Sequence, residues 1–264
     1  MSVLELTGVV VSYRLPGRQR LRAVDGVDLR VEPGEVVGLV GESGCGKSTL
    51  AKAICGLEPL AAGRLTFGGT AIEPLGLRTR SDALRRIQMV FQNPYASLNP
   101  RRKIGDQLED ARRINPDGAD PVPALLDRVE LPADAATRFP HEFSGGQRQR
   151  IAIARAMAAG PTLLIGDEPI ASLDASLQAR IARLMREVAL SAGASMLFIS
   201  HDLAVVRLIA DRVAVMHAGR IVEHGPTEEV WQNPADPYTR RLLAAIPQAD
   251  GLGNLPEELA VEGS

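Results

Sequence analysis

Apolar runs alternate with stretches of helical spacing along the chain, and several of the runs end on a polar residue. "EVVGLVG" (35–41) is apolar at both alternating sets of positions, the pattern of a strand covered on both faces in a parallel sheet. "IQMVFQ" (87–92), "TLLIGDE" (162–168) and "SMLFISH" (195–201) read the same way. Nearer the N-terminus, "LTGVVVSYR" and "VDGVDLRVEPGE" have short alternating runs broken by Gly and Pro, which predicts antiparallel strands. "RVAVMHAGRIVEHG" predicts a hairpin turning near Ala218 and Gly219. Between Gln92 and Pro161 the strand signal gives way to helical spacing in "KIGDQLEDARRI", "VPALLDRVEL" and "GGQRQRIAIARAMAAG", interrupted by the Pro-rich "NPDGADPVP". The pattern predicts an α/β fold with an N-terminal antiparallel β subdomain and an inserted α-helical subdomain at approximately residues 93–160.

Composition narrows the function classes. With 264 residues the chain is long enough for one large α/β domain with a subdomain or tail. A net charge of −2 supplies no electrostatic reason to expect nucleic acid or an anionic membrane surface. The Arg-rich stretches at 78–86 and 101–103 fit a solvated face or a local docking surface. Cys45 and Cys55 are too few for a disulfide framework and wrongly spaced for a metal knuckle, which fits a reducing cytosol. "MSVLELTGVV" lacks a basic region followed by a long apolar core, and no stretch reaches the roughly 18 apolar residues that span a bilayer. The chain is therefore expected neither to cross a membrane nor to be exported.

The chemically capable residues stand at the ends of the apolar runs: a glycine loop, Gln92, Asp167 with Glu168, and His201. Open parallel sheets bind ligands outside the carboxyl ends of their strands, so these groups point to one crevice. "GESGCGKST" (41–49) satisfies G-x-x-x-x-G-K-[ST] between a strand and a helical run, the context of a phosphate loop and hence of a P-loop NTPase core. Gly41, Gly44 and Gly46 let backbone N–H groups curl around phosphate oxygens, with Ser43, Cys45 and Thr49 completing the loop. Lys47 supplies a point charge to the outer phosphates, and Ser48 is suited to Mg²⁺. A thiol at Cys45, beside Lys47 and a helix N-terminus, would suit redox chemistry if its pKa were lowered; a small side chain filling the loop is the preferred reading. Asp167 is expected in the Mg²⁺ shell, and Glu168 is expected to polarise a water for in-line attack on a γ-phosphate. Gln92 would sense the metal and the water, and His201 would hydrogen-bond the γ-phosphate. Together at neighbouring strand ends these groups favour ATP hydrolysis, and the absence of an N-K-x-D segment for reading guanine argues against a GTPase.

A second anion-greeting helix start lies at "SGGQRQR" (144–150), where Ser144 is a good N-cap and Gly145 and Gly146 permit close backbone approach. With it the sequence resembles the ATP-binding cassette family, the nucleotide-binding subunits of ABC transporters, over residues 3–230. "GESGCGKST", "FQNP", "FSGGQRQR", "LLIGDEP", "ASLD" and "ISHD" match, in order, that family's Walker A, Q-loop, signature, Walker B, D-loop and switch-histidine motifs. The resemblance implies a RecA-like P-loop core forming an ATP-binding domain over 1–230. It also implies that Ser144, Gly145, Gly146 and Gln147 contact ATP held by a second ABC ATPase subunit, two cassettes sandwiching two ATPs head to tail. By the same resemblance Tyr13 stacks on adenine, with ordinary core use the open alternative, and Asp174 belongs to the nucleotide site. Two departures stand out: Phe143 replaces the usual Leu, and "ASLD" (171–174) moves the hydroxyl of the usual "SALD" to Ser172.

"QNPYASLNPR" (92–101) and "NPADPYTRRLLAAIP" (233–247) resemble the peptide/nickel importer branch, the second being a C-terminal appendage, here 231–264. Some members carry an iron–sulfur cysteine cluster in it; this chain has no cysteine after Cys55. Tyr95 and Arg101 would line a groove for a coupling helix of a membrane subunit, or be a helix start and a solvated cation. The resemblance implies an ATP-hydrolysing subunit at the cytoplasmic face of the cell membrane, energising an importer of di- or oligopeptides, with nickel, opines or sugars as alternative cargoes. Its implied partners are a second, non-identical cassette, two permease subunits and, indirectly, an extracytoplasmic substrate-binding protein. A soluble cassette protein acting on DNA or ribosomes is the rival. The absence of a coiled-coil insertion, a second cassette, zinc-type cysteines and a basic tail opposes it.

Overall fold

The computed structural model describes residues 2–14, 16, 20–75, 81–93, 97–115 and 120–246. In chain order the elements are β1 (Leu4–Arg14), β2 (Arg20–Val31), β3 (Val36–Val40), α1 (Lys47–Ile54), β4 (Ala62–Phe67), β5 (Thr70–Ala71), α2 (Asp82–Arg85) and β6 (Ile87–Phe91). There follow α3 (Ile104–Arg112), α4 (Val122–Arg128), α5 (Gly145–Ala158), β7 (Leu163–Asp167), α6 (Ala175–Ser191), β8 (Ser195–Ser200) and α7 (Leu203–Ile209). The last are β9 (Arg212–His217), β10 (Arg220–Pro226), α8 (Thr227–Gln232) and α9 (Pro237–Ala244). Two 3₁₀ turns, Ala133–Thr137 and Pro140–Glu142, precede α5.

Six strands form one sheet in the order β10-β9-β3-β8-β7-β6, parallel from β9 to β6 with β10 antiparallel at the edge. An antiparallel sheet, β2-β1-β4-β5, lies over it. Strand β3 is buried at every position because both of its faces are covered. Val36 and Val40 join a core with α5, α6, α7 and the helices between β6 and β7, whereas Val37 and Leu39 join a core with α1 and the antiparallel sheet. The same two-residue alternation sends Met196 and Phe198 of β8 to one side and Leu197 and Ile199 to the other. Gly38 is where α7 presses on β3: a Cβ there would come within 2.3 Å of Val206 Cγ1.

This is the expected α/β architecture, with differences in detail. Strands β4 and β5 add to the expected set, and "LTFGGT" carries a Gly-Gly turn between two β-prone runs. The periodicity of "VPALLDRVEL" continues to Leu131, yet α4 stops at Arg128. Glu130 takes φ 55, its N–H donates to Asp127 O at 2.9 Å, and the Leu131 N–H donates to Leu126 O at 2.9 Å. That is a Schellman closure, in which the apolar residue after the turn belongs to the cap. Glu rather than Gly holds the left-handed position, and its carboxylate takes Arg150 and Arg180.

Candidate functional site at the carboxyl edge of the parallel sheet

Strand register explains why the predicted residues meet. Val40 pairs with Ser200, Ile199 with Asp167, and Asp167 with Phe91. Gly41, His201, Glu168 and Gln92 each follow directly on these paired positions, so four chain exits share one edge of the sheet. Between them lies a cleft of about 280 Å³ lined by Ala23, Ser43, Gly44, Gly46, Lys47, Ser48, Thr49, Gln92 and Glu168.

The phosphate loop can close only with glycine. Gly41 has φ 151 and Gly46 φ 112, and a Cβ on either would sit 2.1 Å from a carbonyl oxygen, that of Met216 or Ala23 respectively. Lys47, only 4% exposed, would be costly as a bare ammonium. Its Nζ instead donates to Gly41 O at 2.7 Å and Glu42 O at 2.9 Å and lies 3.9 Å from Glu168 Oε1. Ser48 Oγ donates to Asp167 Oδ1 at 2.8 Å, so the hydroxyl and carboxylate are already aimed at one point. Burial holds the Asp167 carboxyl above the usual aspartate range, with the adjacent Glu168 charge adding to it and the Ser48 bond opposing it.

Glu168 leaves β7 with φ 47, a left-handed conformation that a glutamate adopts only when its surroundings impose it. Its N–H donates to Ile199 O at 3.0 Å, and its Oε2 lies 2.8 Å from Nδ1 of His201, a residue 57% exposed. The acid therefore sits between a buried cation and an imidazole that faces solvent.

The sequence profile of the ABC transporter family matches residues 24–171. An oligopeptide transport ATP-binding protein, OppF of Streptococcus mutans, is 43% identical over 254 residues, covering 94% of this chain and 82% of that protein. The chain belongs to the ABC transporter family. The di/tripeptide transport ATP-binding protein DppF of Pseudomonas aeruginosa is 46% identical over 236 residues, with 88% of this cassette and 73% of DppF covered. Among solved structures, the dimeric post-hydrolysis state of an ATP-binding cassette bound to ADP and Pi superposes with a TM-score of 0.72. It is 27% identical and covers 85% of this cassette and 98% of its own chain.

The remaining predicted residues of the cassette do not line the cleft. Ser144 caps α5: its Oγ accepts from Gln147 N at 3.3 Å, and its own N–H donates to Gln147 Oε1 at 2.9 Å, a capping box. Ser144 and Gly145 are exposed, while Gly146 is pressed against Leu177 of α6. Asp174 caps α6, accepting from Leu177 N at 3.0 Å and Ser176 Oγ at 2.7 Å, and these bonds hold its carboxyl below the usual range. Tyr13 is half-buried against the core beneath the antiparallel sheet. Cys45 is buried below the loop with its Sγ 3.8 Å from Lys47 Nζ, and Cys55 packs in the same core. Phe143 is buried with the Arg138 guanidinium 4.3 Å above its ring, a cation–π contact that a leucine would lack. Arg101 is exposed, and Tyr95 lies outside the described residues.

One contact was not legible in the sequence. The Tyr238 hydroxyl accepts a hydrogen bond from the backbone N–H of Glu42, inside the phosphate loop, at 3.1 Å. The helix start "DPYT" signals an N-cap at Asp236, but nothing local signals a partner 196 residues away.

Proposed function

We propose that this cassette is the ATP-hydrolysing subunit of an ABC importer for di- and oligopeptides, acting at the cytoplasmic face of the membrane. The shared row of Gly41, His201, Glu168 and Gln92 around a phosphate loop carries the proposal, and the peptide-transport names of its relatives support the cargo. Loop N–H groups from Gly41 to Thr49 hold the phosphates of ATP, and Lys47 pairs with the outer ones. The hard oxygen donors of Ser48, Asp167 and Gln92 suit Mg²⁺, which when bound neutralises phosphate charge. Glu168 takes the proton of the attacking water, and His201, on its other side, orients it and then the γ-phosphate. Tyr13 stacks on the adenine.

Ser144, Gly145, Gly146, Gln147 and Asp174 serve the neighbouring cassette's nucleotide in a head-to-tail pair. Their position away from this chain's own cleft supports that reading. The pair, of non-identical cassettes, sits under two permeases supplied by an external binding protein. Residues 1–230 form the cassette, with the helices near 93–160 as its inserted subdomain and 231–264 as an appendage.

The test is reconstitution of the full chain with a partner cassette, two permeases and the external binding protein of a peptide importer from the same cell. Peptide-stimulated, Mg²⁺-dependent ATP hydrolysis is expected. A chain that ignores the permeases and binds nucleic acid with steep salt dependence would sink the proposal.

A further inference from the structure

Helix α9 reaches the phosphate loop through Tyr238. Tyr238 is buried, its ring centroid lies 3.9 Å from that of His217 at the end of β9, and its hydroxyl holds the Glu42 N–H. The carbonyl of the same residue, Glu42, receives the Lys47 ammonium at 2.9 Å. Glu42 is thus gripped at its N–H by the appendage and at its C=O by the lysine that meets phosphate.

The grip is itself anchored. Glu223 of β10 accepts the N–H groups of Ala235 at 2.7 Å and Asp236 at 3.1 Å, fixing the turn before α9. Asp236 accepts the Tyr238 N–H at 2.7 Å, which sets the first turn of the helix and so the direction of the tyrosine. The β9–β10 hairpin completes the frame, with Gly219 N donating to Cys45 O at 2.9 Å. Backbone and side-chain bonds therefore run without a gap from the sheet edge, through α9, to the loop.

We infer that Tyr238 is a positioning residue for nucleotide binding, its hydroxyl holding the Glu42 peptide so that the Lys47 ammonium is pre-set for the phosphates of ATP. The inference rests on the reading that this loop binds ATP. A loop held in its binding geometry before the ligand arrives does not spend binding energy on ordering itself, so losing the hydroxyl weakens affinity. The loss falls on ground state and transition state alike, which raises KM and leaves kcat.

The experiment uses the full chain and Tyr238→Phe, which keeps the ring against His217 and removes only the hydroxyl. ATP affinity is expected to fall several-fold, up to roughly tenfold, the upper worth of one partly buried hydrogen bond. Amide exchange at Glu42 should accelerate, KM for basal ATP hydrolysis should rise with kcat held, and Tm should fall by only a few degrees. Thr239→Val is the neighbouring control: that side chain is fully buried and its hydroxyl has no hydrogen-bond partner among the described residues, so the change should leave ATP affinity as it is. Lys47→Ala separates the two readings. If Lys47→Ala abolishes ATP binding while Tyr238→Phe binds ATP within twofold of the parent, the positioning role is wrong and the site reading stands. If Lys47→Ala binds ATP normally, the site reading itself fails. A Tyr238→Phe affinity loss accompanied by an equal kcat loss and a collapsed Tm would also overturn the inference, because it would mark a general structural defect.

Discussion

Glu168 combines a strained backbone with contacts to two basic side chains. Its backbone is left-handed at φ 47, and its oxygens face Lys47 on one side and His201 on the other. Asp167 is spent on Ser48, so the two adjacent acids have separate tasks despite being neighbours in sequence. Glu168→Gln keeps the shape but removes the proposed base. ATP binding should be retained while turnover falls by about 10²–10⁴-fold, measured by nucleotide binding and phosphate release on the same preparation. Retained turnover would remove Glu168 from the base role. The acid pair was readable because it ends an apolar strand in a chain with a phosphate loop. That His201 already lies on Glu168 was not readable, since it depends on how β7 and β8 align.

At the scale of elements, burial on both faces makes β3 unforgiving. Val36, Val37, Leu39 and Val40 are all fully buried, and Gly38 between them leaves room for Val206 of α7. Gly38→Ala forces a methyl into that contact, and overpacking of this kind costs about 1–3 kcal/mol. The urea midpoint should drop with an unchanged slope, and a variant as stable as the parent would show that α7 yields freely. The apolar run 35–41 announced a buried strand, but its one gap looked like any glycine. Only the packing of α7 assigns it a purpose. The converse holds for α4, where periodicity carried the expected helix three residues too far because an apolar cap residue and a helix residue look alike in one dimension.

For the whole molecule, the decisive feature is that the second anion-greeting helix start is not folded onto the first. Ser144 and Gly145 lie exposed at the head of α5, outside the lining of the cleft. Ser144→Arg should therefore leave ATP binding by the separate chain intact and abolish hydrolysis in the assembled pair. Loss of ATP binding by the separate chain would refute the role in trans. The two sheets are also tied by charge. Asp25 of β2 accepts Arg220 of β10 at 2.6 Å and Arg22 at 2.9 Å, and Arg220 first and Arg22 second hold its carboxyl below the ordinary aspartate value of 3.8. A folded-state value below the unfolded one contributes stability above the unfolded value and loses it as pH falls through the folded one. Asp25→Asn should be less stable near neutrality and should show a flatter decline in urea midpoint below about pH 4. An equal decline in both proteins would assign the acid sensitivity elsewhere.

Local chemistry was therefore written in the chain itself: glycines where a loop must curl, an N-cap serine before a helix, carboxylates at the end of an apolar strand. Those signals survive in one dimension because each arises from residues within a few positions of one another. The register that brings Gln92, Glu168, His201 and Gly41 to one edge, the closeness of α7 to Gly38, and the grip of Tyr238 on Glu42 join residues far apart in sequence. Such contacts are settled only when two sheets and the helices between them pack into one core, because packing, not local propensity, selects which distant surfaces touch.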